Sequence, residues 1–252
     1  VRPEAIRYAL EKGIIAAGAV EDFASLLAGA DAVVLGLYPH ALVDWLRNNQ
    51  KHLKPGALLT DVCGVKSGVV EEIQGFLRPD AEFIASHPMA GKETSGIFHA
   101  DGALFRGAHY IITPRPQSRP EHVNLLHRIA DHIGCRDVVN TTTAKHDAII
   151  AYTSQVMHIM AVAVCDDPDL FDCKGFEGGS FRDCTRVAAL DVPLWTQLFT
   201  MNSKALGSAL EELEGNIRTY RQAIEAGDTT TLVEKLSYSA ARKRKMNRLE
   251  IE

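Results

Sequence analysis

What most limits the fold of this chain is a change of rhythm near residue 140. Before it, short continuous apolar runs at 32–37, 57–62, 82–85 and 110–113 alternate with stretches whose apolar residues recur every three or four positions. Runs without a polar face fit strands covered by helices on both sides, as in a parallel sheet. The stretches at 3–12, 41–53 and 120–133 carry helical spacing, the last through Val123, Leu126, Ile129, Ala130 and Ile133. This alternation predicts an α/β fold with a doubly wound, Rossmann-like parallel sheet. After residue 140 the strand signals stop. Residues 143–165 and 194–226 read as long amphipathic helices, and Gly227 followed by Asp228 or Thr229 marks a stop and restart before a last helix to about residue 248. The expected organisation is an α/β domain over 1–140 and an all-α domain over 141–252. Helices this long carry more apolar face than about 110 residues can cover alone, so a homodimer with interlocked helices is expected.

Composition narrows the function classes. Of 252 residues, 46% are hydrophobic and 23% charged, with a formal charge of −5. That supplies a sizeable core and no broad basic field for nucleic acid. The one basic run, Arg242 to Lys245, falls at a predicted helix end, where it complements the dipole. Cys63, Cys135, Cys165, Cys173 and Cys184 form no C-x-x-C pair and have no zinc spacing. No metal site is expected, and a reducing, cytoplasmic setting is. No secretory signal and no apolar run of membrane-spanning length is read, so a soluble protein without a membrane partner is expected.

An open parallel sheet binds its ligands beyond the carboxyl ends of its strands. The loops there hold Leu37, Tyr38, Pro39 and His40, then Cys63, Gly64, Val65 and Lys66, then the segment from His87 to Gly96. Pro88 cannot continue a ladder, and Gly91 and Gly96 permit tight turns. A neutral His87 at that place can take a proton from a substrate hydroxyl while hydride leaves the adjoining carbon. A histidine that merely ends a strand is the other reading. A second constellation runs from Glu177 to Arg186. Ser180 and Asp183 resemble a capping box, Gly178 and Gly179 allow close backbone approach, and Arg182 and Arg186 stand four apart on one helix face. A helix N-terminus with two guanidinium groups suits a carboxylate; a solvated charged face fits the same spacing. His158, inside an apolar helix, is either a core histidine or a pocket wall.

Taken in order, these residues resemble the prephenate dehydrogenase family. The resemblance rests on Asp61 to Lys66, on the His-Pro-Met-Ala-Gly-x-Glu-x-Ser-Gly string at 87–96, on Leu104-Phe105 to Thr113-Pro114, on His146-Asp147, on Ser154 with His158, on Gly178-Gly179 to Thr185-Arg186, and on Pro193-Leu194-Trp195. It implies a Rossmann-like domain followed by a helical dimerisation domain. The implied reaction is oxidative decarboxylation of prephenate to 4-hydroxyphenylpyruvate in tyrosine biosynthesis, with NAD or NADP as hydride acceptor. By position it implies His87 as the catalytic proton acceptor and Arg186 as the ligand of the ring carboxylate. His158 and Gly179 would line the substrate pocket, Arg182 would add a basic group, and Glu93 would stand at a gating acid. Leu37, Tyr38, Pro39, Cys63, Gly64 and Lys66 would lie on the cofactor side. The implied activity rises with pH as His87 loses its proton.

Three departures qualify the resemblance. Gly64 stands where some relatives have a serine near the catalytic histidine, so His87 must be oriented by water, backbone or another side chain. Gln155 replaces a histidine of some relatives. The G-x-G-x-x-G turn of a dinucleotide site is not among these residues, and Val1 to Ala5 resembles the segment just after the second strand, so about 30 further residues are expected to precede it in a longer protein. The acid that distinguishes NAD from NADP would lie there. Arogenate is the alternative substrate. A dimeric carboxylate-binding module that has lost its cofactor site is the alternative class. A β-hydroxyacid dehydrogenase would need a lysine on the long helix, where Gln155 and His158 stand.

Overall fold

The structure, a computed structural model, describes residues 2–92 and 94–249. Its contacts divide the chain into two compact units that meet between Leu206 and Gly207. The first contains α1 (Pro3–Glu11), α2 (Ala24–Gly29), β1 (Ala32–Leu35), α3 (Pro39–Asn49), β2 (Leu58–Asp61), α4 (Ser67–Gln74), β3 (Glu82–Phe83), β4 (Ala85–Pro88), β5 (His109–Thr113), α5 (Pro120–His132) and β6 (Asp137–Asn140). It continues through α6 (Thr143–Ile150), α7 (Val156–Cys165), α8 (Gly179–Thr185) and α9 (Val192–Met201). The helix α10 (Ser203–Glu225) runs across the division, and α11 (Thr229–Leu249) belongs to the second unit.

β1, β2 and β3 pair in parallel in that order. Only Ile84 separates β3 from β4, and its N–H still donates to the Leu59 carbonyl at 3.0 Å. One extended run therefore leaves the first ladder and enters a second, in which β5 is antiparallel to β4 and parallel to β6. The sheet is thus parallel through its first three strands and mixed beyond them. The physical reason is the connection. Parallel neighbours need a crossover, usually a helix, and the described residues between β4 and β5 hold one short 3-10 turn at Ile97–His99. α5 supplies such a crossover between β5 and β6.

Helices cover both faces. Leu59 and Phe83 pack with Leu42 and Leu46 of α3, Val69 and Ile73 of α4, and Leu198 of α9. Leu58, Ile84, Tyr110 and Ile112 pack with Leu126 and Ala130 of α5. The adjacent residues Leu58 and Leu59 therefore feed opposite cores, as the two-residue period of a strand requires.

From Thr143 to Cys165 the chain is helical over 23 residues, interrupted by a π-helical turn at Ala151–Gln155. The Thr142 side chain caps its start, accepting from the Lys145 N–H at 3.2 Å. By length and composition this run could cross a membrane, which corrects the expectation that no run is long enough. Its polar residues are nonetheless tied to neighbouring elements. Gln155 donates to the Leu198 carbonyl at 3.0 Å, and Asn202 donates to Gln155 Oε1 at 2.7 Å and to the Asp147 carbonyl at 2.9 Å.

In the second unit Gly227, at φ +64°, ends α10 in the left-handed conformation that glycine adopts without a Cβ clash. Asp228 then accepts from the Thr231 N–H at 3.0 Å and caps α11. Ile217, Ile224, Val233, Leu236 and Met246 are exposed on these helices.

Candidate active site

The site begins at the carboxyl end of β2. Asp61 Oδ1 accepts the Ser86 N–H at 2.9 Å, and Oδ2 accepts the Cys63 N–H at 3.0 Å and the Lys66 ammonium at 2.6 Å. The Ser86 hydroxyl donates to the Asp61 carbonyl at 2.6 Å and accepts from the Thr60 and Tyr110 hydroxyls at 2.8 Å each. These side chains are almost wholly buried. They lock the loop after β2 against β4 and so fix the backbone that carries His87.

α6 supplies the second layer. Asp147 lies against the N-terminus of α4, accepting the Lys66 N–H at 2.8 Å and the Ser67 N–H at 2.7 Å. A helix N-terminus favours an anion at that place. His146 Nδ1 is 2.8 Å from Asp147 Oδ1, and His146 Nε2 is 3.0 Å from His87 Nδ1. A side chain therefore orients His87, and it comes from α6, which packs against α4. Burial alone would push Asp147 up, but the His146 ring and the N–H groups of Ser67 and Lys66 outweigh it and hold the carboxyl below its usual range. Burial holds His87 well below the ordinary imidazole value, with the Lys66 ammonium and the His146 ring adding to that and Asp147 opposing it.

Opposite lies a wall of helices. The His158 ring stacks on Trp195 at 3.7 Å between centroids, and its Nδ1 donates to the Ser154 carbonyl at 2.9 Å. Burial lowers its pKa, against the opposing effect of that bond. Arg186 opens the 3-10 turn Arg186–Ala188 that follows α8. Tyr38, after β1, donates to Asp191, which also caps α9 by accepting the Leu194 N–H at 2.9 Å. Between these walls lies a cleft of about 530 Å³, lined among others by Tyr38, Gly64, His87, His158, Arg186 and Trp195. That size suits a small molecule carrying a few polar groups.

The structure brings five of the sequence-predicted residues together on this cleft: His87, His158, Arg186, Gly64 and Tyr38. Others do not line it. Gly179 and Arg182 sit on α8, whose cap is Gly178 with no side-chain bond, so the expected Ser180–Asp183 box is not formed. α8 ends at Thr185, which puts Arg186 beyond the helix face that Arg182 occupies. Lys66, expected to face a cofactor, is fully buried on Asp61. Cys63 is buried, its thiol pushed up to about 12 by burial and by the Asp61 carboxylate. Pro39 is buried in the first turn of α3, whereas Leu37 and Tyr38 leave apolar surface open at the carboxyl end of β1. Glu93 lies outside the described residues. Sequence reasoning counted His146-Asp147 among the motifs of the resemblance but gave neither a role; the available signal was an adjacent imidazole and acid in the first turns of a helix.

Comparison with known proteins places this geometry among relatives. A family model described as "Prephenate dehydrogenase, nucleotide-binding domain" matches residues 2–139, and one described as "Prephenate dehydrogenase, dimerization domain" matches residues 142–238. A cyclohexadienyl dehydrogenase of Zymomonas mobilis is 30% identical over 189 residues, covering 72% of this chain and 64% of its own length. A prephenate dehydrogenase of Lactococcus lactis is 28% identical over 79% of this chain and 57% of its own length. The chain thus spans less than two thirds of the curated relatives it matches. Among solved structures, a prephenate dehydrogenase from A. aeolicus in complex with hydroxyphenyl propionate and NAD+ superposes with a TM-score of 0.84 at 27% identity, covering 100% of this chain and 87% of that one. An arogenate dehydrogenase from Synechocystis superposes at 0.80 and 26%, covering 97% and 88%.

Proposed function

The chain belongs to the prephenate dehydrogenase family, and from that premise we propose that it forms part of an enzyme that oxidatively decarboxylates prephenate to 4-hydroxyphenylpyruvate, using NAD or NADP. The observation that carries the proposal is His87, oriented by a hydrogen bond to His146 and kept below the ordinary imidazole value by burial, on the same cleft as Arg186. A neutral imidazole accepts the proton of the ring hydroxyl, and a guanidinium holds the ring carboxylate by charge-assisted bonds. His158, braced by Trp195 and Ser154, orients the ring between them.

The dinucleotide, when bound, supplies the hydride acceptor. The residues present fit one flank of it: Leu37 and Tyr38 offer open apolar surface where a Rossmann-like sheet receives its cofactor, and Gly64 keeps the floor of the cleft free of a side chain. Cys63 and Lys66 support that floor from beneath. Gly179 and Glu93 remain proposed contributors to the substrate side, and Arg182, which does not line the cleft, adds at most a weak long-range attraction.

We take residue 140 as the boundary between the nucleotide-binding and helical parts. A homodimer goes with the exposed apolar residues of α10 and α11 and with the dimerization-domain match. All five cysteines are free thiols, which suits a reducing compartment, and we place the protein in the cytoplasm. Arogenate is a second reading, since one superposable structure is an arogenate dehydrogenase; it differs by an amino group away from the reacting hydroxyl.

The test is reduction of NAD and of NADP by the whole gene product containing this chain, with prephenate and arogenate in parallel. Turnover with either substrate supports the proposal and chooses between them. Absence of both turnover and cofactor binding, the latter measured by calorimetry, would favour the non-catalytic carboxylate-binding module, and cofactor binding would count against it.

A further inference from the structure

We propose that His146 is a positioning residue that fixes the tautomer of His87 and stores the proton His87 takes from the substrate. The inference rests on the reading of His87 as proton acceptor. A carboxylate only accepts hydrogen bonds, so the nitrogen of His146 that faces Asp147, Nδ1, carries a hydrogen. In neutral His146 the other nitrogen, Nε2, is then a bare acceptor. It faces His87 Nδ1 at 3.0 Å, so that atom carries the His87 hydrogen. The ring nitrogen left to His87 for the cleft is Nε2, unprotonated. Asp147 thus sets, through two rings, which nitrogen of His87 can act as base. Gly64 has no side chain to do this work, and His146, 1% exposed and absent from the cleft lining, acts through His87 alone.

Proton balance gives the same pair a second task. Oxidation breaks the O–H and C–H bonds of the substrate. The proton goes to His87 Nε2, the hydride goes to the oxidised nicotinamide, and C=O forms. Loss of CO₂ breaks the bond from the ring to its carboxylate, and that electron pair restores the aromatic ring and leaves a phenolate oxygen. A phenol has a pKa of about 10, well above an imidazole, so the phenolate takes the proton back. No proton is released overall, and the borrowed one needs a place to wait. When His87 Nε2 is protonated, its Nδ1 hydrogen can pass to His146 Nε2, which sets the positive charge beside Asp147. The return path is the same two bonds reversed.

Two variants in the whole protein separate positioning from storage. His146→Leu removes both and is expected to lower kcat by ~10²-fold while KM stays within about twofold. In His146→Gln the side-chain oxygen can still accept from His87 Nδ1 but cannot carry a proton, so an intermediate loss of ~10-fold in kcat is expected. Nitrogen-15 NMR of the histidines reads the tautomer without turnover, and the wild-type protein should show the His87 hydrogen on Nδ1. The proposal is overturned by a folded His146→Leu with kcat within twofold of wild type, by a His146→Gln equal to wild type, or by a wild-type His87 that carries its hydrogen on Nε2. No turnover of either substrate by the wild-type protein would sink the functional reading alone, and the NMR measurement would still decide the tautomer.

Discussion

The two walls of the cleft are built on different terms. On the His87 side each polar group answers another: Asp61 to Lys66 and Ser86, Asp147 to the N-terminus of α4, His146 to both Asp147 and His87. Asp61, Lys66, Ser86 and His146 are at most 1% exposed. On the Arg186 side the backbone is a seven-residue α8 without a side-chain cap and short 3-10 turns. Nearby Phe171 and Phe176 are 86% and 89% exposed. The proton-handling wall is therefore preorganised by one chain, as electrostatic catalysis requires. The carboxylate wall leaves apolar side chains uncovered, and the proposed dimer is where they would find cover.

Breaking the preorganised wall should give the largest effects. His87→Asn is expected to cut kcat by ~10²–10⁴-fold with little change in KM; a near-wild-type kcat in steady-state assays would remove His87 from the chemistry. Asp147→Ala leaves two backbone N–H groups and a buried ring without their acceptor, and should cost ~3 kcal/mol of stability, read from the denaturant midpoint. A shift under 1 kcal/mol would mean that this wall is less tightly built than its bonds indicate.

The opposite wall should respond more softly. Arg186→Gln is expected to raise KM by ~10-fold with a smaller change in kcat, whereas Arg182→Gln, off the cleft, should change KM by less than about twofold. The reverse order would move the carboxylate site onto α8. The walls also differ in pH response. His87 and His158 are held below the ordinary imidazole value of about 6.5. Between that value and their lowered ones the unfolded chain binds more protons than the folded chain. Stability should thus fall as pH falls below about 6.5, while the depressed Asp147 keeps its contribution until pH drops through its own low range. For the same reason kcat should be flat above about 6.5 rather than rising toward 8. A rise there in a pH–rate profile would contradict the neutral state of His87. Smallest of all, Phe176→Ser should alter unfolding by less than about 0.5 kcal/mol. Its effect is expected in self-association, and an unchanged sedimentation profile would take Phe176 out of the interface.

Much of this contrast was legible in the sequence, for local reasons. β1 announces itself as an unbroken apolar run, and β2 and β3 through the short buried runs that contain Leu58, Leu59 and Phe83. β6 does not, since Val138 and Val139 are its only apolar residues and Val139 is exposed. The reversal of β5 depends on what the connection before it lacks, which no strand encodes. His87 stands in a string specific enough to find it. Its partner His146 lies 59 residues away, and only the packing of α6 against α4 brings the two together. Lys66 misled because lysines are rarely buried unless paired, and Asp61 had no signature of its own beyond an acid at a strand end. The Ser180 box failed because Gly178 starts the helix two residues earlier.

The π-helical turn at Ala151–Gln155 acts on the angular phase of the helical run that contains it. His146 and His158 stand twelve residues apart, and at 100° per residue an unbroken α-helix would point them about 120° away from each other. A π turn takes up one extra residue without advancing the rotation. Counted as eleven, the separation comes to within about 20° of whole turns, and both imidazoles present to one side. Deleting one residue from the turn would leave eleven α-helical steps and keep the two rings in phase, whereas winding all twelve residues as α-helix would rotate everything after the turn by about 100°. His158 would then turn off the Trp195 ring while His146 kept its hold on His87, so the two histidines share a direction only because the helix miscounts between them.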